Sequence, residues 1–201
     1  MLRIGLTGGI ACGKSTVGEM LVRRGAHYLS ADELAHKLYE PGAVAYEGVV
    51  RAFGREILNP DRTVNRKILA SLAFPDRIDE LNTIVHPAVI EAQKRWSTEV
   101  TRDDPSGIAV VEAALIFEAG AETDFDKIIV VTCNPEGKAK RFAQRAGVSL
   151  EEARAEVDRR TAAQLSDDEK ARRADYVIDN SGSVEDTERQ VDAIWGQLRK
   201  S

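Results

Sequence analysis

Apolar residues along this chain fall into short dense runs separated by longer stretches of helical spacing. Leu2, Ile4 and Leu6 mark a first strand candidate over 2–6, and similar runs follow at 26–29, 107–111, 127–133 and 175–179. After the first run, Val17, Met20 and Leu21 recur at helical spacing over 16–24, and the pattern stops at Gly25. Short apolar strands alternating with amphipathic helices predict an α/β fold with a parallel five-stranded sheet flanked by helices. In open sheets of this kind ligands collect beyond the carboxyl ends of the strands. The positions to examine are therefore those just after the runs: 8–15, Asp32, Glu112, Asn134 and Asn180.

Two stretches break the alternation. Residues 33–96 carry no strand pattern and predict a helical insertion between the second and third strands, of a size suited to covering a substrate. Within it Pro87 is expected as the first residue of a helix reaching Trp96, with His86 fixing the turn before it. Residues 135–173 are charged and helical, with capping-box spacing at Ser149–Glu152 and Ser166–Glu169. Their basic side chains include Lys138, Lys140, Arg141, Arg145, Arg154, Arg159 and Arg160. On charge alone this segment reads either as a lid over phosphates or as a solvated helical hairpin.

Composition narrows the picture modestly. The 201 residues suit one domain, 43% apolar and 30% charged, as in soluble globular proteins. A net charge of −5 gives no basic footprint for nucleic acid. No apolar run is long enough to span a membrane, and the N-terminal run is broken by Gly5, Gly8 and Gly9 rather than built as a secretory leader. Cys12 and Cys133 are too far apart in sequence for a Cys-x-x-Cys pair and read as buried thiols in a reducing compartment, so a cytoplasmic protein is expected. Cys12 precedes a helix start, where a lowered thiol pKa and sensitivity to oxidation are expected.

The chemistry is carried by 8–15, Gly-Gly-Ile-Ala-Cys-Gly-Lys-Ser, which matches G-x-x-x-x-G-K-[ST] between a strand and a helix. Its glycines let backbone N–H groups converge on phosphate oxygens, and the helix start adds partial positive charge. Gly8, Gly9, Ala11, Cys12, Gly13, Lys14, Ser15 and Thr16 are the expected nucleotide cradle. Lys14 would reach the β- and γ-phosphates, and the Ser15 hydroxyl would ligate Mg²⁺. ATP and Mg²⁺ are thus the expected cofactors. No Asn-Lys-x-Asp guanine-reading element occurs, and the length suits a small P-loop kinase.

The wider string resembles the dephospho-coenzyme A kinase family. Residues 5–16 are similar to that family's opening, Ser30-Ala31-Asp32 to its Asp-Ala-Asp element, and Glu40-Pro41-Gly42 to the loop that follows. His86-Pro87 resembles a His-Pro pair in the helical insertion, and Glu112 to Glu118 resembles an Asp-x-Pro-Leu-Leu-Phe-Glu segment. Arg141, Arg145, Arg160 and Gln164 fall where the family has similar lid residues, and 176–182 resembles its Ile-x-Asn-x-Gly element. Ala11 stands where a glycine is common in the family, Cys12 where a serine is, Ser30 where the first Asp is, and Ala114 where the proline is.

The resemblance implies a P-loop kinase fold with a helical substrate-binding insertion and a helical lid. It implies transfer of the ATP γ-phosphate to the ribose 3′-hydroxyl of dephospho-coenzyme A, the small-molecule partner. Asp32 is then the candidate base and acceptor-side residue, with helix N-cap as its other reading. Glu112 is a candidate for the metal's surroundings or a solvated strand-end residue, and Thr7 for an active-site hydroxyl or a β-branched strand terminus. Arg141 is a candidate for offsetting transition-state charge, with Arg145 one helical turn away. His86 is a candidate substrate contact or a structural residue, and Asn180 a contact to the adenine or its loop. Two other readings stay open: a kinase of another small metabolite, and an ATP-binding regulatory protein.

Overall fold

The computed structural model describes residues 1–74 and 76–200. Pro75, inside the expected helical insertion, and Ser201 lie outside the described residues. The chain forms two compact units, one of Met1–Leu29 with the chain from Asp103 onward, the other Ser30–Arg102.

The first unit is built on five strands, of which only the last residue of β2 belongs to the second unit: β1 (Leu2–Gly8), β2 (His27–Ser30), β3 (Ile108–Glu112), β4 (Lys127–Thr132) and β5 (Tyr176–Asp179). They form one sheet in the order β2-β3-β1-β4-β5, with β1 parallel to both β3 and β4, and β4 parallel to β5. Each strand was legible as an apolar run, with ends shifted by a residue or two. β1 runs two residues past Leu6 because its pairing with β4 continues through Thr7↔Val130 and Gly8↔Val131.

Alternation along the strands sorts two faces. Ile4, Leu6, Ile129, Val131 and Ile178 meet Val17, Met20 and Leu21 of α1 (Lys14–Arg23) and Val191, Ile194 and Leu198 of α9 (Val184–Leu198). Ile128 and Val130 instead pack with Ile116 and Phe117, from the segment that follows β3. Each completely buried Leu or Ile contributes about 1.5–3 kcal/mol relative to an exposed one, so this core dominates the unit's stability.

Three helices occupy the charged segment: α6 (Pro135–Ala146), α7 (Leu150–Ala162) and α8 (Asp167–Arg173). Asn134 caps α6 by accepting from the Gly137 N–H at 2.7 Å, with Pro135 in the first turn. Ser149 and Glu152 complete a reciprocal capping box on α7, and Ser166 accepts from the Glu169 N–H to start α8. Phe142 of α6 packs against Ala153 and Val157 of α7, and Ile10 and Ala11 join that cluster. The apolar seam of the charged segment thus continues onto the tip of the phosphate loop.

The second unit is helical: α2 (Ala31–Leu38), α3 (Tyr46–Phe53), α4 (Arg66–Ala73) and α5 (Ile78–Asp103), which leaves the unit at its last residue. Val49, Phe53, Ile57, Leu69, Ala73, Val85 and Val89 form its core. One expectation fails here. Pro87 does not begin a helix but lies inside the 26-residue α5, as does His86, so there is no turn before the proline for His86 to fix. Leu81, Ile84, Val85 and Val89 keep one apolar face in register across the proline, and their burial outweighs the lost backbone hydrogen bond.

Candidate active site

The loop from Gly8 to Gly13 links the central strand β1 to α1, and its two motif glycines are required sterically. A Cβ on Gly8, at φ 148°, would lie 2.1 Å from the Val131 carbonyl oxygen. One on Gly13, at φ 90°, would lie 2.1 Å from Nδ2 of Asn180. Ala11 is the exception, a non-glycine residue at φ 55°. The left-handed region costs an L-residue about 1–2 kcal/mol, which accounts physically for a glycine being at home there. The Lys14 ammonium donates to the carbonyls of Gly8 and Gly9 at 3.1 and 3.2 Å.

The loop is held from the far strand. Asn180, just beyond β5 and buried, donates from Nδ2 to the Cys12 carbonyl at 2.8 Å and accepts from the Thr187 hydroxyl at 2.8 Å. Its side chain therefore braces the loop backbone. The guanidinium of Arg141 donates to Sγ of Cys133 at 2.8 Å and to the Asn180 carbonyl at 2.6 Å. Arg141 thus stands at the foot of the charged helices, against the ends of β4 and β5. Arg145 is exposed, its guanidinium 5.7 Å from the Phe142 ring centre, as is that of Arg160.

Glu112 closes β3 opposite Leu6 in the register, and it is only 7% exposed, so it is no solvated strand end. Its carboxylate faces the Ser15 hydroxyl at 3.4 Å on one oxygen and accepts the Tyr28 hydroxyl on the other. A hydroxyl and a carboxylate side by side are the hard oxygen donors that suit Mg²⁺, a cation that keeps several waters and takes few protein ligands. The donor set fits that ion. Thr7 is fully buried and donates to the Ala114 carbonyl at 3.2 Å, which ties the end of β1 to the turn after Glu112.

Cys12 is fully buried. The expectation of a lowered pKa is overturned: burial pushes the thiol up to about 11, with the Asp167 carboxylate adding to the rise against the opposing charges of Lys138 and Lys14. Desolvation of a thiolate outweighs the helix start here because no solvent reaches the sulfur. Lys138 and Asp167 form a largely buried ion pair between α6 and α8. Nothing in local spacing announces it, since the partners are 29 residues apart.

In the helical unit, the N-cap of α2 is Ser30, whose hydroxyl accepts from the Glu33 N–H at 3.3 Å. The capping alternative for Asp32 is therefore filled by its neighbour, and Asp32 lies in the first turn of the helix. His36, one turn on, has a pKa lowered by burial first and by the Arg66 charge second, partly offset by Asp32, Glu33 and Glu40. His86 is exposed on α5 and shares a shallow recess with Asp79, Asn82, Thr83, Pro87 and Ile90.

A glycine-built anion cradle with a lysine and a serine at the carboxyl edge of a parallel sheet, next to a buried strand-end carboxylate, defines a P-loop kinase. The dephospho-CoA kinase family model matches residues 2–186, and the chain belongs to that family. It is 45% identical over 97% of its length to a dephospho-CoA kinase of Geobacter metallireducens, covering 96% of that protein. A solved structure from Thermus thermophilus superposes with a TM-score of 0.77 at 33% identity, covering 98% of this chain and 97% of that one. A Campylobacter jejuni dephospho-CoA kinase superposes at 0.67 with 29% identity, again covering 98% and 97%.

Proposed function

We propose that this chain transfers the γ-phosphate of ATP to the ribose 3′-hydroxyl of dephospho-coenzyme A, giving coenzyme A. The observation that carries this reading is the juxtaposition of Lys14, Ser15 and buried Glu112 around a loop that only glycine permits at Gly8 and Gly13, in a chain of this family.

Phosphoryl transfer asks mainly for alignment and charge neutralisation. The loop amides bind the phosphate oxygens. Lys14 exchanges its contacts to the Gly8 and Gly9 carbonyls for the β- and γ-oxygens. Ser15 and Glu112 would hold Mg²⁺, which supplies neutralisation of the charge on those oxygens when bound. Asp32, two residues past the carboxyl end of β2, orients the acceptor hydroxyl and takes its proton. The helical unit 30–102 binds the acceptor, with His86 as one contact. The α6–α8 segment serves as the lid, and Arg141 acts from its foot.

The test is acceptor-dependent release of ADP from Mg·ATP across dephospho-coenzyme A, nucleosides, nucleoside monophosphates and shikimate. Stimulation by dephospho-coenzyme A, with a product heavier by one phosphate, is expected. Stimulation only by another acceptor would discard the substrate, and ATP binding without stimulation by any acceptor would favour a regulatory role. Asp32→Asn should retain ATP binding while lowering kcat by about 10²–10⁴, the range for loss of a general base. Near-normal turnover in that variant would remove Asp32 from the chemistry.

A further inference from the structure

The side chain of Lys170 on α8 is wholly buried, with 0% exposure, in a segment whose other lysines and arginines mostly face solvent. Its ammonium pairs with Oε1 of Glu118 at 2.9 Å and donates to the Ala114 carbonyl at 3.2 Å. The same Glu118 oxygen accepts the Leu165 N–H at 3.0 Å, in the link between α7 and α8. The same Ala114 carbonyl accepts the Thr7 hydroxyl, and the adjacent Ala113 N–H donates to the Leu6 carbonyl at 3.0 Å. The turn after Glu112 is thus held from two sides, by the end of β1 and by α8.

Stability alone does not call for a lysine here. A buried ion pair is often replaceable by apolar side chains of similar volume without loss, because desolvation offsets its Coulomb attraction. What an apolar residue lacks is a donor for the second lone pair of the Ala114 carbonyl. That carbonyl lies two residues past Glu112, at the point where the chain leaves β3.

We propose that Lys170 is a positioning residue. Together with Glu118 it fixes the turn at Ala114, and that turn sets where the Glu112 carboxylate stands beside Ser15. The C-terminal helix of the lid segment is thereby tied mechanically to the metal side of the site. This rests on the reading of Glu112 as a partner of the metal.

The experiment measures Mn²⁺ affinity of the ADP-bound protein by electron paramagnetic resonance of the free ion, alongside kcat and KM for Mg·ATP. Lys170→Met with Glu118→Gln removes the donor without stranding a charge, and Lys170→Arg retains both charge and donors. The double variant should bind Mn²⁺ about 10- to 100-fold more weakly, the usual effect of removing a group that orients a metal's partner. Its KM for Mg·ATP should rise more than its kcat falls, and Lys170→Arg should recover most of the affinity. A folded double variant with unchanged Mn²⁺ affinity overturns the proposal. If the double variant does not fold, Lys170→Met alone decides, since Glu118 is a fifth exposed and still accepts the Leu165 N–H: weaker Mn²⁺ binding supports the strut and unchanged binding overturns it. Glu112→Gln separates the two readings. If it leaves Mn²⁺ affinity unchanged, the metal role of Glu112 fails first; if it weakens binding while the double variant does not, only the strut fails.

Discussion

At the residue scale, identity and environment diverge most at Cys12. Its place in the P-loop motif, just before a helix, suggests a reactive thiolate, yet the fold removes all solvent from it and raises its pKa to about 11. Deprotonation is then confined to strongly alkaline pH, and near pH 7.5 only about one thiol in several thousand is ionised. Alkylation of Cys12 by iodoacetamide should run at least about 100-fold slower than that of free cysteine near neutrality, and should accelerate as pH rises toward 11. Rapid modification near pH 7.5 that ATP blocks would contradict the buried-thiol account. Gly8 and Gly13 are a different case: their positive φ values, 148° and 90°, belong to a motif written over eight consecutive residues. Ala11 shows the limit of such a motif: the variable position tolerates a non-glycine residue at φ 55°, at a modest cost in strain.

At the scale of elements, the phosphate loop is not self-supporting. Asn180 bridges the Cys12 carbonyl to the Thr187 hydroxyl, so the loop between β1 and α1 is braced by the junction of β5 and α9. Asn180→Ala leaves a buried carbonyl and a buried hydroxyl without that partner, which should destabilise the protein by about 1–3 kcal/mol. It should also weaken ATP binding, because the cradle amides lose their fixed geometry. Urea unfolding and nucleotide titration read the two effects, and intact affinity in a destabilised variant would confine Asn180 to a structural role. The strands themselves were legible as apolar runs, since the central strands of a parallel sheet are buried on both faces. At Pro87 in the long α5 local punctuation points to a helix start, and the burial of Val85 and Val89 on either side decides for one continuous helix.

At the scale of the whole molecule, the chain divides into a sheet unit that carries the phosphate loop and a helical unit over 30–102. If the first handles ATP and the second the acceptor, hydrogen exchange should separate them. Mg·ATP should slow exchange across 8–16, and dephospho-coenzyme A should add protection within 30–102. Acceptor-induced protection confined to the sheet unit would reject that division of labour. The alternation of strands and helices and the glycine-rich loop between strand and helix were present in the order of residues, because each depends on neighbours within a dozen or so positions, and the family likeness rests on a series of such short motifs along the chain. The Thr7–Ala114–Lys170–Glu118 network, the pairing of Lys138 with Asp167, the bracing by Asn180 and the desolvation of Cys12 were decided only by tertiary structure. Each of these depends on groups from distant parts of the chain meeting in a water-poor interior, where burial and hydrogen bonding, rather than sequence spacing, determine what a side chain does.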